Sequence, residues 1–261
     1  MSWLRPLGDT GLEVSALGLG TVKLGRDQGL KYPAEFVIPD LRSAANLLAQ
    51  AKELGINLID TAPAYGDSEQ RLGQLLAGQR HDWLLCTKVG EEFSAGVSSF
   101  DFSPEHTRAS VQRSLRRLDT DVLDLVLVHS NGDDLHIINA MGTLEALQAM
   151  QQEGLIRAVG MSSKTVVGGL AAAPICDVLM LTYNLNEREE LPVLDACAAH
   201  NTAVLLKKVL ASGHLAEAGS DPLQASMDLA LGHPGTSAAI IGTINPAHLR
   251  ANVEAARHTL A

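Results

Sequence analysis

Along the chain, short runs of aliphatic and β-branched residues alternate with longer segments whose apolar positions recur every three or four residues. This is the pattern of repeated βα units around a parallel sheet. Eight runs read as strands, at residues 16–20, 56–60, 83–88, 123–129, 156–160, 178–181, 203–206 and 238–241. Several are almost wholly apolar, as strands covered on both faces must be. The intervening segments carry helix punctuation. Asp40 precedes a stripe of Leu41, Ala44, Ala45, Leu48, Ala51 and Leu54 that Gly55 closes. Asp67 with Gln70 predicts a capping-box-like start to a helix ending near Gly78. Ser103 before Pro104, and Asn245 before Pro246, each place a capping side chain ahead of a proline suited to the first helical turn.

Eight such units in 261 residues fit one domain, 1–261, closed as a (β/α)8 TIM barrel, although an open doubly wound sheet uses the same alternation. Two features favour closure. No Gly-x-Gly-x-x-Gly turn follows the first strand, and the polar residues of interest fall at the C-terminal ends of several strands, which meet at one mouth only in a barrel. Ahead of the first strand, Gly8-Asp9-Thr10-Gly11 separates two short apolar stretches and predicts a β-hairpin capping the barrel floor.

Composition narrows the classes. With 46% hydrophobic and 19% charged residues the chain can fill a large core and carries no disorder signature. Four Phe, three Tyr and two Trp leave that core to Ala, Val, Leu and Ile, and leave little for stacking single-stranded nucleic acid. A formal charge of −10 repels a polyphosphate backbone at long range, so a nucleic-acid partner is disfavoured. Cys86, Cys176 and Cys197 are odd in number, far apart and set in apolar or helical runs, and read as free buried thiols of a reducing compartment. Nothing reads as a signal peptide, a membrane span or a metal site, so the expectation is a cytoplasmic protein without a membrane partner, as a monomer or weak oligomer.

Four polar residues stand out by position. Asp60 ends the second strand, Tyr65 follows in the loop, Lys88 ends the third strand and His129 the fourth. Singly, each has a plain structural reading: a loop cap, a loop aromatic, a solvated strand end and a satisfied core histidine. Together at one barrel mouth they form an acid-catalytic set. A free phenol titrates near ~10. A neighbouring ammonium favours phenolate and is expected to lower that value, while a carboxylate keeps the ammonium charged. The product is a proton donor for a carbonyl oxygen becoming an alkoxide.

The stretch from Asp60 through Tyr65 and Glu69 to Gly73 (DTAPAYGDSEQRLG) resembles the signature of the aldo-keto reductase superfamily. So do Cys86-Thr87-Lys88, the run from Asp124 to His129 and Ser130, Gly154 to Ser162, the opening Leu17 to Thr21, and the end from Ile241 to Asn252. The match runs in order over nearly the whole chain. It implies a (β/α)8 barrel that reduces an aldehyde or ketone with NADPH. Tyr65 would be the general acid assisted by Lys88 and His129, Asp60 would pair with Lys88, and His129 would also orient the carbonyl.

For the cofactor the resemblance points to Gly20 and Thr21 at the first strand end, to Ser162 and Ser163 at the nicotinamide carboxamide, and to the segment holding Gly242, Thr243, Asn245, His248, Arg250 and Asn252 for the adenosine phosphate. The chain departs from its relatives at several places. Ser163 stands where Asn is usual, and Met180 where Gln is frequent. Asn184 reads equally as a cofactor contact or as a residue of the loop before Glu187. Lys207 stands where a nicotinamide-stacking tyrosine is common, so Lys207 or Lys208 is expected to touch the cofactor, by its methylene stem or its ammonium. Gly242 and His248 occupy positions where relatives carry Lys and Arg for the extra phosphate. NADPH is the expected coenzyme, with NADH the alternative. The asparagine-capped helix opening at Pro246 offers amides to an anion.

The substrate is expected to be a small carbonyl compound bordered by residues 22–39, 91–102 and 130–136, with Phe93, Phe100 and Phe102 as an apolar wall. The chain ends soon after the last barrel helix, which implies an open site with broad selectivity. Two other functions compete: an NADPH-holding regulatory subunit of the same fold with slow or no turnover, and a lyase forming a Schiff base on Lys88. The second needs a neutral lysine, which Asp60 opposes.

Overall fold

The computed structural model describes residues 1–30, 32, 35–213 and 221–261. The chain opens with a hairpin of β1 (Leu4–Pro6) and β2 (Glu13–Ser15), turning at Gly8 to Gly11, where the Leu7 amide donates to the Leu12 carbonyl. β3 (Leu17–Gly20) and β4 (Leu58–Asp60) follow, and then β5 (Leu84–Val89). A second hairpin, β6 (Glu91–Ser94) with β7 (Val97–Phe100), precedes β8 (Leu123–His129), β9 (Ile156–Ser162), β10 (Val178–Thr182), β11 (Ala203–Lys207) and β12 (Ala238–Ile241). Eight parallel strands close in the order β10-β11-β12-β3-β4-β5-β8-β9. All eight fall on the predicted runs, with ends displaced by at most two residues.

The helices are α1 (Val22–Gly25), α2 (Leu41–Glu53), α3 (Ser68–Leu75), α4 (Pro104–Arg117), α5 (Asp134–Ala140), α6 (Thr143–Gln152), α7 (Val166–Ala172), α8 (Leu191–His200), α9 (Pro222–Gly232) and α10 (Pro246–Leu260). Asp40 accepts from the Ser43 amide, Ser103 from His106 and Asn245 from Ala247, so three of the four predicted caps form. The fourth does not. Asp67 has φ −87° and ψ 10°, outside the extended geometry a capping side chain needs, and makes no cap bond. Ser68 instead turns its hydroxyl inward onto Thr21, and the helix stops at Leu75, short of Gly78. No helix among the described residues is long and apolar enough to cross a membrane.

Two hydrophobic clusters explain the nearly unbroken apolar strands, because each strand buries both of its faces. Outward residues such as Leu17, Ile59, Leu85, Val126 and Val128 pack under the helices. Inward residues Leu58, Cys86, Leu125, Leu127, Ala158, Val178, Met180, Leu205 and Ile240 fill the barrel. Leu7, Leu12 and Val14 of the first hairpin join this inner cluster, so the hairpin plugs the floor as expected. The three cysteines are free and buried.

Closure demands a glycine in β9. A Cβ on Gly160 would stand 1.7 Å from the Val178 carbonyl oxygen and 3.0 Å from Leu127 Cδ2, inside the β9–β10 ladder. Gly160→Ala is therefore expected to destabilise the barrel by about 3 kcal/mol, read as a lowered midpoint of urea unfolding.

Candidate active site

The period of two along each strand builds the mouth. In β4 the inward row is Leu58 then Asp60, in β5 Cys86 then Lys88, in β8 Leu125, Leu127 and His129. In β9 it runs Ala158, Gly160, Ser162, and in β11 Ala203, Leu205, Lys207. Every row starts apolar at the floor and ends polar at the mouth. Asp60 is in register with Cys86, and the Lys88 ammonium, 1% exposed, meets Asp60 Oδ1 at 2.5 Å and the Thr61 carbonyl at 2.9 Å.

Tyr65 hangs over this pair. Its ring centre is 4.8 Å from Lys88 Nζ and 6.3 Å from the His129 ring, edge to face. Two interlocking glycines hold its loop, since a Cβ on Gly25 would stand 2.4 Å from the Tyr65 carbonyl and one on Gly66 would stand 2.1 Å from the Gly25 carbonyl. Burial works against the Lys88 ammonium, but Asp60, with Tyr65 and Cys86, outweighs it and lifts Lys88 above the ordinary lysine value. Burial likewise raises the Tyr65 phenol, and Lys88 only partly offsets it against Asp60. The expected lowering of the phenol is thus reversed here: desolvation exceeds the pull of the ammonium. Tyr65 is held fully protonated, a proton store rather than a phenolate.

These four residues line one wall of a cavity of about 620 Å³. Gly20, Thr21, Ser162, Met180, Lys207, Lys208, Gly242, Thr243, His248 and Asn252 line it too. Thr21 ties the loop to Asp60 by donating to its carbonyl through both amide and hydroxyl. Lys207 donates to Ser162 Oγ and to the Ser163 carbonyl, each at 2.9 Å. Burial lowers Lys207 to about 8, with Glu190 pulling upward and Lys208, Lys164 and Lys88 pushing down. Lys208, at φ 54°, faces Glu187 at 3.5 Å.

Other candidates fall elsewhere. Ser163 is buried and does not line the cavity, and its hydroxyl has no hydrogen-bond partner among the described residues. Asn245 caps α10, and Arg250 is exposed on that helix and does not line the cavity. Asn184 takes its structural reading: its Oδ1 accepts from the Asn186 and Glu187 amides and its Nδ2 donates to the Lys208 carbonyl. The apolar wall does not form. Phe102 is buried against Gly90, Phe93 carries the Arg26 guanidinium 3.5 Å from its ring centre, and neither lines the cavity. Phe100 stacks on Phe102.

Of the 22–39 segment, Lys31, Pro33 and Ala34 lie outside the described residues, while Lys23 and Tyr32 line the cavity with Lys23 Nζ 3.8 Å over the Tyr32 ring. One residue of the site carries no mark in the sequence. Glu91, beginning the unpredicted second hairpin, places Oε2 2.8 Å from His129 Nδ1. Its only signal is its position three residues after Lys88. Among the described residues no cluster of His, Cys, Asp or Glu is arranged to hold a metal ion.

A closed barrel whose carboxyl mouth carries this buried acid–base set is a barrel enzyme by fold and site. The model of the Aldo/keto reductase family matches residues 16–229, and the chain belongs to that family of nicotinamide-dependent oxidoreductases. A solved putative aldo-keto reductase from Pseudomonas aeruginosa is 56% identical, with a TM-score of 0.91 over 99% of this chain and 95% of that one. An uncharacterised oxidoreductase, YqkF of Bacillus subtilis, is 32% identical over 85% of this chain and 70% of its own. Pyridoxine 4-dehydrogenase of Escherichia coli is 30% identical over 93% of this chain and 89% of its own.

Breaking a buried pair costs more than the pair contributes. Asp60→Asn, which strands the Lys88 ammonium, is expected to lose about 3–5 kcal/mol of stability. Adding Lys88→Met should restore most of it, as a double-mutant cycle in urea would measure.

Proposed function

We propose that the protein reduces a small aldehyde or ketone to an alcohol with NADPH, and that Tyr65 supplies the proton. The observation that carries this is the Asp60–Lys88 pair sealed beneath Tyr65 at the wall of a cavity large enough for a bound organic ligand. The residues present suit a dinucleotide. The Lys207 ammonium and the Ser162 hydroxyl, 2.9 Å apart, both line the cavity at the ends of β11 and β9. Bare backbone at Gly20 and Gly242 leaves room for close approach, with a Cβ on Gly20 meeting Ile240 at 3.1 Å. The asparagine-capped start of α10 offers its dipole to a phosphate.

When bound, the coenzyme supplies the hydride. The chain does the rest. Lys207 and Ser162 would hold the carboxamide edge or the adjoining phosphate. Tyr65 hydrogen-bonds the substrate oxygen and gives up its proton as negative charge develops there, because an alkoxide is a far stronger base than phenolate. Lys88 steadies the phenolate left behind, and Asp60 keeps Lys88 charged throughout. A Schiff base on Lys88 is disfavoured by the same carboxylate. NADPH is supported by the basic His248 and Arg250 on the opening of α10, whereas the bare Gly242 favours NADH as the second reading.

The test is coenzyme oxidation with a panel of aldehydes and dicarbonyls, run with NADPH and with NADH. Carbonyl-dependent oxidation is expected, faster with NADPH, and Tyr65→Phe should cut kcat by a factor of about 100 or more. No oxidation with any carbonyl would leave the regulatory-subunit reading in its place.

Lys207 adds a pH signature. With Lys207 titrating at about 8 in the free protein, its charge is present below that pH and lost above it. NADPH affinity should therefore hold steady below pH 8 and weaken above it, by up to about tenfold per pH unit. Lys207→Met should bind about tenfold more weakly at pH 7 and lose this pH dependence.

A further inference from the structure

Four lysines line the cavity, and three of them have something that holds their charge. Lys88 meets Asp60, Lys208 faces Glu187, and Lys23 lies 3.8 Å over the Tyr32 ring with the Phe36 ring beyond, where aromatic faces favour a cation. Lys207 has neither a carboxylate nor a ring. Its Nζ donates to the Ser162 hydroxyl and to the Ser163 carbonyl, both neutral, and no described carboxylate forms an ion pair with it. The charged groups around it compete: Glu190 favours the ammonium, Lys208, Lys164 and Lys88 oppose it, and burial decides, so that Lys207 titrates at about 8. Glu190 is a weak counter-charge. It is buried, its Oε2 accepts from the amide of Thr182, the residue in register with Lys207 on β10, and burial raises its own carboxyl.

An ammonium owns three N–H groups, and here two are taken. When the third proton leaves, both hydrogen bonds survive and the freed lone pair makes the nitrogen a nucleophile on the cavity wall. A lysine desolvated and set beside other cations is how proteins prepare an amine for imine formation. We propose that Lys207 is a covalent aldehyde site, forming a reversible imine with aldehydes that enter the cavity when it holds no coenzyme. The neutral amine adds to the carbonyl carbon to give a carbinolamine. Its two N–H protons then leave with the carbonyl oxygen as water, and a C=N bond replaces the C=O bond, with no oxidant or reductant consumed. The Ser162 hydroxyl, 2.9 Å from Nζ, is placed to pass a proton from nitrogen to oxygen. Lys88 does not compete, because Asp60 and the Thr61 carbonyl hold it as the ammonium. The imine does not require the reductase function; its competition with coenzyme rests on the Lys207 contact proposed above.

The test is reductive trapping of the whole protein without coenzyme. Benzaldehyde and cyanoborohydride, which fixes an imine as a benzylamine, are added over a range of about pH 6 to 9, and each lysine is scored by peptide mass mapping. At pH 7 about a tenth of Lys207 is free amine, against far less of an ordinary lysine near ~10.4, so Lys207 should be benzylated at least about tenfold faster than the exposed Lys52 and Lys164. That advantage should shrink above about pH 8, where Lys207 gains little more free amine and ordinary lysines continue to. In Lys207→Met the fast labelling should vanish while that of Lys52 persists; if this variant does not fold, the wild-type map decides alone. Labelling of Lys207 no faster than that of Lys52 at pH 7, or a ratio that does not shrink above pH 8, overturns the proposal. NADPH should suppress the fast labelling. Fast labelling that NADPH leaves unchanged upholds the imine site and overturns the coenzyme contact instead.

Discussion

The contact between the Lys88 ammonium and Asp60, closed off beneath Tyr65, is the interaction on which the rest of the mouth depends. Taking both charges out of water costs several kcal/mol per ion, and only close geometry with further partners offsets it. The barrel supplies that geometry from its register. Asp60 faces Cys86 on the neighbouring strand, Lys88 lies two residues on along the same inward row, and the Thr61 carbonyl takes a further ammonium proton. A fixed cation is thus present where an oxyanion would develop, with no rearrangement required at that moment.

The same rows set the electrostatics of the cavity. A chain of formal charge −10 places Lys88, Lys207 and Lys208 on the lining of one opening, with Asp60 as the counter-charge of the first. Lys207 lacks so close a carboxylate; its ammonium is held by a hydroxyl and a carbonyl, and burial lowers it. An anionic ligand would relieve that deficit. Repulsion of a long polyanion by the whole surface and attraction of a small one at the mouth are therefore compatible.

Legibility in the sequence follows periodicity. Strand ends declare themselves because an inward row of apolar residues stops on a polar or charged side chain, and the amino-acid order alone therefore marks Asp60, Lys88 and His129, while Lys207 stands out only as a departure from the family's pattern. Glu91 escapes that rule, because it belongs to a hairpin outside the barrel repeat, turning at Ala95 and Gly96, whose pairing no period of the barrel marks. The phenylalanines of that stretch mislead for a related reason: Phe102 closes over Gly90, and Phe93 is occupied by Arg26. Asp67 has a capping side chain but not a capping backbone. The Tyr65 phenol moves opposite to expectation because the sequence shows which charges are near and not how much water is gone.

The central claim is that the buried Lys88 ammonium, held by Asp60, makes Tyr65 an effective proton donor. The most direct measurement is single-turnover hydride transfer, by stopped-flow with preloaded NADPH, in wild type and in Lys88→Met, with coenzyme affinity measured alongside. A fall of about a hundredfold or more in the transfer step, at nearly unchanged NADPH affinity, is the predicted result. A transfer rate within a few-fold of wild type would contradict it.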